Sequence, residues 1–436
     1  MYLPENVLFC MQRLEQAGYA CYAVGGCVRD ALLGLAPQDY DLCTAADPEQ
    51  LEHLFADHTL VLAGKKHGTV GVVRGGEVVE ITTFRTEGDY ADSRHPDWVA
   101  FVTDIRQDLA RRDFTVNAMA YSPTRGYADP FGGRQDLQNG CLRAVGDPTQ
   151  RFTEDALRIL RGVRFAVKYG LQPEEETRKA MFSLASRLQN IAAERIFDEL
   201  CKLLPLAAAE DLVTFAPVIT QVIPELAPAV GFQQHSIHHT YDVYTHIAHV
   251  VEGVDQDLLL RWAALLHDVA KPACFTLDEA GNGHFYGHAK QGAEISDRIL
   301  RRLKAPTALR ENVTLLVERH MTKIEPERKT VRRWLSRLGQ ERLFQLLALQ
   351  EADMGSKGTG KPAESSQFAQ LRGLSAQIVA ENACLQLKDL AVNGRDLMQL
   401  GLEGPAIGQA LQHLLEQVLD EKLPNEKESL MNALKP

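Results

Sequence analysis

No stretch of the 436-residue chain approaches the roughly 20 consecutive apolar residues that a bilayer-spanning helix needs, so no membrane partner is expected. The first residues, Met1-Tyr2-Leu3-Pro4-Glu5-Asn6, lack a basic region followed by an apolar core, and the expected location is cytoplasmic. Cysteine is sparse and dispersed. The eight residues, at 10, 21, 27, 43, 141, 201, 274 and 384, include no Cys-x-x-Cys pair, which argues for reduced thiols and against a disulfide framework or a zinc knuckle. Positive charge is also short, with a formal net charge of −11, whereas binding to a phosphate backbone needs Lys and Arg. One segment departs from this: Arg298 to Arg342 carries 13 Lys and Arg against 5 Asp and Glu, either a solvated helical face or a basic track for a nucleic acid. No internal repeat is evident, and the sequence does not indicate an oligomeric state.

Residues 1–145 mix short apolar strands, such as Gly71-Val72-Val73 and Glu77-Val78-Val79-Glu80-Ile81, with helices and Gly/Pro turns, which predicts an α+β head. After Gly146-Asp147-Pro148 glycine thins out and helical periodicity takes over. The expected divisions are a head (1–145), a helical neck (146–230), a helical body (231–355) and a helical tail (356–436). A flexible linker is expected over Met354–Pro362.

Asp39-Tyr40-Asp41 is the most informative feature of the head. It follows a predicted strand, Tyr19–Val24, a Gly25-Gly26 turn and a helix start at Val28-Arg29-Asp30. Carboxylates two apart on a strand point the same way and can grip a pair of Mg²⁺ ions roughly 3.5–4 Å apart, the separation that suits in-line phosphoryl displacement. The glycine turn lets backbone approach a triphosphate. Glu80 completes the acidic cluster if its strand pairs beside the one bearing Asp41. Arg111-Arg112-Asp113 opens a predicted helix that includes Asn117; the acid and amide suit a cap, the arginines phosphate and ribose.

Glu154-Asp155-x-x-Arg158-x-x-Arg161-x-x-Arg164 is more specific. On a helix, residues three apart are neighbours, so Asp155 and Arg158 are expected side by side with Arg161 and Arg164 along one flank. Such a pair is either a surface ion pair or a base reader. Cytosine and adenine present an amine donor beside a ring-nitrogen acceptor, which a carboxylate and a guanidinium match; uracil and guanine present the opposite polarity.

These motifs together resemble the class II tRNA nucleotidyltransferases, the CCA-adding enzymes related to bacterial poly(A) polymerases, over roughly residues 5–210. The resemblance implies a polymerase-β-like head. It also implies Asp39 and Asp41 as ligands of Mg²⁺, Arg29 and Asp30 beside the triphosphate, and Arg111, Arg112 and Asp113 on the nucleotide's phosphates and ribose. Asp155 and Arg158 are then the amino-acid template for the base, and the implied partners are tRNA, ATP and CTP. Glu87–Pro96 corresponds to the family's flexible loop, which CC-adding relatives shorten, so its presence points to full CCA addition or to A addition alone. Gly64–Val70 lacks the phenylalanine variant of the poly(A) polymerases and favours the CCA branch.

Nine of the fourteen histidines fall between His235 and His320. His246, His267-Asp268, His288, His320 and Asp353 resemble the metal-binding order of HD-type phosphohydrolases, with His-Asp following the apolar run Leu258–Leu266. Imidazole and carboxylate ligands suit Mn, Ni, Co, Fe or Zn, and a metal-bound water would attack a phosphoester. His235, His238, His239, His249 and His284 are expected outside the ligand set. The rival from another class is an RNA-binding HD hydrolase with a degenerate head, against which the intact acidic and arginine motifs speak.

Overall fold

The computed structural model describes residues 1–87, 99–236, 240–358, 365–381 and 383–434. Most of the expected flexible loop, together with His238, His239 and the end of the expected linker, lies outside them. The chain forms two compact units, Met1–Ala207 with Thr214–Pro224, and Ala208–Val213 with Glu225–Pro436.

The first unit begins with α1 (Glu5–Gln16), which buries Val7, Cys10, Met11 and Leu14, a one-sided stripe at helical spacing. Strand β1 (Cys21–Val24) runs into Gly25, whose φ of +76° is open to glycine at little cost, and then into α2 (Gly26–Leu32). Next come β2 (Leu42–Thr44) and α3 (Pro48–Leu54), the latter begun by Pro48 and by reciprocal capping between Asp47 and Gln50. Strands β3 (Thr59–Val61), β4 (Thr69–Arg74) and β5 (Glu77–Thr83) follow, then a separate ladder of β6 (Arg85–Glu87) with β7 (Val99–Phe101). Helix α4 (Ile105–Ala110), β8 (Ala120–Ser122), β9 (Gly126–Ala128) and α5 (Gly133–Gln138) complete the head.

Seven strands form one mixed sheet in the order β3-β4-β5-β2-β1-β8-β9. Only β2 and β5 run parallel, with Leu42 opposite Ile81. Along β5 the residues Val79, Ile81 and Thr83 are buried while Val78 and Glu80 face outward, the period of two expected of a half-buried strand. The register therefore brings Asp41, one residue before Leu42, beside Glu80, one residue before Ile81.

Helices α6 (Pro148–Glu154), α7 (Leu157–Tyr169), α8 (Glu175–Ser183) and α9 (Ala193–Leu203) follow, then α10 (Ala209–Thr214), most of it in the second unit, and α11 (Ala216–Val222). Gly162 lets α7 close on the loop after α4: a Cβ there would lie 2.9 Å from the Phe114 ring.

Three local expectations are corrected. Asp39 and Asp41 precede β2 instead of lying on it. The segment 113–118 forms a 3₁₀ turn at Thr115–Asn117, because the Asp113 carboxylate takes the Phe114 N–H and the Asn117 amide and so competes with a helix. The helix expected through 154–164 breaks at Asp155 (φ −139°, ψ 103°), whose carboxylate caps the Leu157 N–H at the start of α7.

Among the described residues the second unit is helical apart from a small pair of strands, Thr276–Leu277 with Gly283–His284. Its helices are α12 (Val243–Gly253), α13 (Leu258–Leu266), α14 (His288–Arg302), α15 (Thr307–Arg319) and α16 (Arg328–Gly355), the last kinked at Gly339 (φ +73°). Helices α17 (Ser365–Ala380), α18 (Gly394–Met398), α19 (Pro405–Leu419) and α20 (Lys427–Asn432) follow. Eight of the nine residues of α13 are buried, as a helix apolar on nearly every side requires, and the one charge among them, Arg261, donates from Nε to the Asp255 carbonyl at 3.1 Å. The expected linker starts inside the last turn of α16. Among the described residues no helix is long and apolar enough to cross a membrane.

Candidate active site and a buried histidine centre

A cavity of about 410 Å³ in the first unit collects most of the predicted nucleotide contacts: Gly25, Gly26, Arg29, Asp41, Arg111, Arg112, Asp113, Asn117, Asp155, Arg158 and Arg161 line it with Phe165 and Arg195. The glycine turn forms part of its wall; a Cβ on Gly25 would stand 3.1 Å from Arg112 Nη1. Asp108, which the sequence reading passed over, anchors both motif arginines. Its Oδ1 accepts from Arg111 Nε and Nη2 at 3.0 and 2.9 Å, and its Oδ2 from Arg112 Nη2 at 3.3 Å. Burial works against the Asp108 charge, but the two guanidinium groups prevail and hold its carboxyl below the ordinary range. The signal was present in the sequence as an acid three and four residues before two arginines.

Asp113 behaves likewise. Burial opposes its charge, and Arg161, with the Asn117 amide, lowers it to about 2. Arg29 is enclosed by Asp30, Asn117 and Tyr169 and lies over the Tyr169 ring, 4.2 Å from its centroid. It lines the cavity while Asp30 does not; the Asp30 carboxylate holds Arg29. Arg164 is also outside the lining, its Nε 2.5 Å from Glu199 Oε2 on α9.

Asp155 and Arg158 both line the cavity, but they do not pair with each other. Arg158 Nη1 donates to Glu154 Oε2 at 2.7 Å and to the Arg151 carbonyl at 3.1 Å, and Nη2 donates to the Arg111 carbonyl at 3.1 Å. Three of its five N–H donors are thus engaged and two remain for a ligand. Asp155 Oδ2 instead accepts from Arg195 Nη2 at 2.9 Å. Sequence reasoning missed Arg195, which lies 40 residues downstream.

A second cavity, of about 610 Å³, is lined by Asp39, Asp41 and Glu80 together with Gln38, Tyr40, Glu77 and residues of α1. Asp41 borders both cavities. Desolvation at the wall, then the negative charge of Glu80, raises the Asp41 carboxyl above the ordinary range. Three oxygen-bearing acids on one wall, mutually repelling, suit hard divalent cations.

The head, residues 21–143, matches the family model described as Poly A polymerase head domain; residues 170–214 match that of the RNA and SrmB-binding site of polymerase A, and residues 285–434 that of tRNA nucleotidyltransferase domain 2. The CCA-adding enzyme of Levilactobacillus brevis is 36% identical over 99% of this chain and 98% of its own length. This chain belongs to the CCA-adding enzymes. A CCA-adding enzyme of Bacillus velezensis is 32% identical over 97% of the chain and 96% of that protein. The crystal structure of the Bacillus stearothermophilus CCA-adding enzyme in complex with CTP superposes with a TM-score of 0.74 at 29% identity, covering 100% of this chain and 97% of that one. As a family member the chain is a tRNA nucleotidyltransferase, an activity that requires a divalent metal ion.

The second unit of this CCA-adding family member holds a buried cluster. His246, His267 and Asp268 form one group of candidate metal ligands and Asp268, His288 and His320 another, with the ligand atoms of each group within 4.8 Å of one another. Each imidazole is oriented from behind: the Nδ1 atoms lie at hydrogen-bond distance from the carbonyls of Ser356 (3.1 Å), Ala264 (2.7 Å), Phe285 (2.6 Å) and Val317 (2.6 Å) for His246, His267, His288 and His320. That leaves every Nε2 facing inward. Asp268 Oδ2 lies 3.4 and 3.1 Å from His246 and His267 Nε2, and Oδ1 lies 3.3 and 3.8 Å from those of His288 and His320. Asp353 Oδ1 stands 3.0 Å from His246 Nε2. Burial alone would lower His246, yet Asp268 and Asp353 push it up to about 9. Burial and neighbouring His267 instead drop His320 to about 4, which keeps it neutral and able to act as a ligand. Lys271, not singled out from sequence, places Nζ 2.7 Å from Asp268 Oδ2. His249 stacks on Tyr241 and His284 meets Asp278, both outside the cluster.

Proposed function

We propose that this chain completes the 3′ end of tRNA by adding C, C and A from CTP and ATP, without a nucleic-acid template. The observation that supports this most is the position of Asp41, which borders both the arginine-lined cavity and the acid-lined one. A nucleotide in the first and an RNA 3′ end in the second would meet at that carboxylate. The 3′-hydroxyl gives up its proton to solvent as its oxygen attacks the α-phosphorus, the bond from that phosphorus to the oxygen bridging it to the β-phosphorus breaks, and pyrophosphate leaves. Mg²⁺ ions held by Asp39, Asp41 and Glu80 would, when bound, stabilise the charge that develops on the oxygens. Arg111 and Arg112, set by Asp108, hold the phosphates; Asp113 and Asn117 fix Arg161 and Arg29 around the ribose. Asp155 accepts from the amine of cytosine or adenine and Arg158 donates to the ring nitrogen. In this reading the chain divides into a head (1–145), neck (146–230), body (231–355) and tail (356–436), and the tRNA substrate favours a cytoplasmic location.

The test is incubation with tRNA lacking all three, two or one terminal nucleotides, with each labelled nucleoside triphosphate separately. Sequential C, C and A incorporation is the expected result. A alone, added only to tRNA already ending in CC, would assign the enzyme to A addition.

A second reading concerns the histidine centre: four imidazoles oriented by carbonyls around one buried aspartate fit a transition metal such as Mn, Ni, Co, Fe or Zn. We propose an HD-type site in which His246, His267, His288, His320, Asp268 and Asp353 hold the metal. When bound, it would supply an activated water for phosphoester hydrolysis, and Lys271 would offer a cation to the phosphate. Elemental analysis of the purified protein, and hydrolysis of a chromogenic phosphodiester with each metal, test it.

A further inference from the structure

Asp155 chooses the base in the reading above, yet its own helix does not hold it. It sits in extended backbone between α6 and α7, where its carboxylate would otherwise be free to turn. Two bonds orient it: Oδ1 accepts from the Leu157 N–H at 3.0 Å, and Oδ2 from Arg195 Nη2 at 2.9 Å. Arg195 and Glu199 lie four apart on α9 and so share a face. Glu199 clamps that face to α7 through Arg164, with Nε to Oε2 at 2.5 Å, so the packing of α9 on α7 delivers Arg195 to Asp155. Arg195 also lines the nucleotide cavity, and its Nη1 is buried with no hydrogen-bond partner among the described residues.

We infer that Arg195 is the positioning residue for Asp155 and therefore a determinant of nucleotide choice. This rests on Asp155 being the base reader. Each Asp155 oxygen keeps a lone pair for the base amine after its structural bond is made, because a carboxylate oxygen accepts twice. Arg195 fixes which way those lone pairs point. A carboxylate free to turn would no longer hold a lone pair where the cytosine amine arrives, and cytosine would lose its advantage over uracil.

The experiment measures single-nucleotide incorporation of CMP and UMP on tRNA lacking all three terminal nucleotides, for the wild type, R195M, R195Q, D155N and the R195M/D155N double variant, each checked by thermal melting. The expected result is that R195M lowers the CTP:UTP preference by about tenfold or more and raises KM for CTP more than it lowers kcat. The double variant should be no less selective than D155N, because both changes remove one device. Should R195M fail to fold, R195Q carries the same expectation. Wild-type preference in a folded Arg195 variant, alongside loss of preference in D155N, would overturn the inference and leave Arg195 as a strut between α9 and the loop. Wild-type preference in D155N itself would overturn the base-reading role and this inference with it. A wild type that adds no CMP at all would instead refute the CCA-adding reading on which both depend.

Discussion

Arg161, itself half-buried, pairs with buried Asp113 so that two guanidinium nitrogens converge on one carboxylate oxygen, Nε at 2.9 Å and Nη2 at 2.7 Å from Oδ2. The pair ties the loop after α4 to α7. It also sets the polarity of the cavity, since Arg161 consumes part of its charge there while Arg112 keeps a buried Nε with no hydrogen-bond partner among the described residues.

Asp113→Asn is expected to destabilise the first unit by roughly 2 kcal/mol at neutral pH, from a carboxyl lowered from 3.8 to about 2. A depressed acid contributes stability above its unfolded value, and that contribution is lost as pH falls. The difference between variant and wild type should be full above about pH 5 and shrink as pH drops through 3.8 toward 2. Urea titrations across that range check the sign; a difference that grew on acidification would contradict it.

Asp39→Ala and Asp41→Ala should each lower nucleotide incorporation by several orders of magnitude while tRNA binding stays near wild type, because the acids position cations and meet only the terminal nucleotide of the RNA in the proposed geometry. Gel-shift affinity measured beside incorporation in Mg²⁺ separates the two effects. Near wild-type turnover by either variant would remove it from the cation site.

Asp155→Ala and Arg158→Ala should both raise UTP misincorporation relative to CTP, with each mismatched buried group costing about 1–3 kcal/mol. Glu154→Gln loosens Arg158 by removing the negative charge of its 2.7 Å partner and should give a weaker effect of the same kind. If rates fall and the CTP:UTP preference stays, the two residues are structural.

His267→Ala combined with Asp268→Ala should abolish bound transition metal and any phosphodiesterase activity yet spare CCA addition, because the head carries its own acids. Metal content unchanged from wild type would refute the ligand assignment. Loss of nucleotide addition in a folded variant would show that the two units do not act independently.

The basic run from Arg298 to Arg342 is largely answered by the protein itself. Arg332 is buried with Nη1 3.2 Å from Glu421, and Arg333 Nη2 lies 2.6 Å from Asp420. Arg332→Ala should therefore lower thermal stability and leave the salt slope of tRNA binding within experimental error, where a lost phosphate contact would change it by about 0.7–0.9.

The amino-acid sequence by itself determined the α+β head, the helical remainder, which acids and arginines gather around the two cavities of the head, and the order of the six candidate ligands in the second unit. Those features are legible because strand and helix periods, glycine turns and local spacing are properties of neighbouring residues. Only the tertiary structure decided who pairs with whom. Spacing alone put Asp155 beside Arg158, but a cap at Leu157 breaks the helix between them and frees Asp155 for Arg195. The parallel pairing of β2 with β5, which no local signal specifies, brings Glu80 beside Asp41. Arg328, Lys329, Arg332 and Arg333, counted from sequence as part of a basic run, became ion pairs with Asp420 and Glu421 once α16 approached the end of α19. In each case the deciding partner is distant in sequence, and burial, which makes an unpaired charge costly, selects the partner that the fold brings within reach.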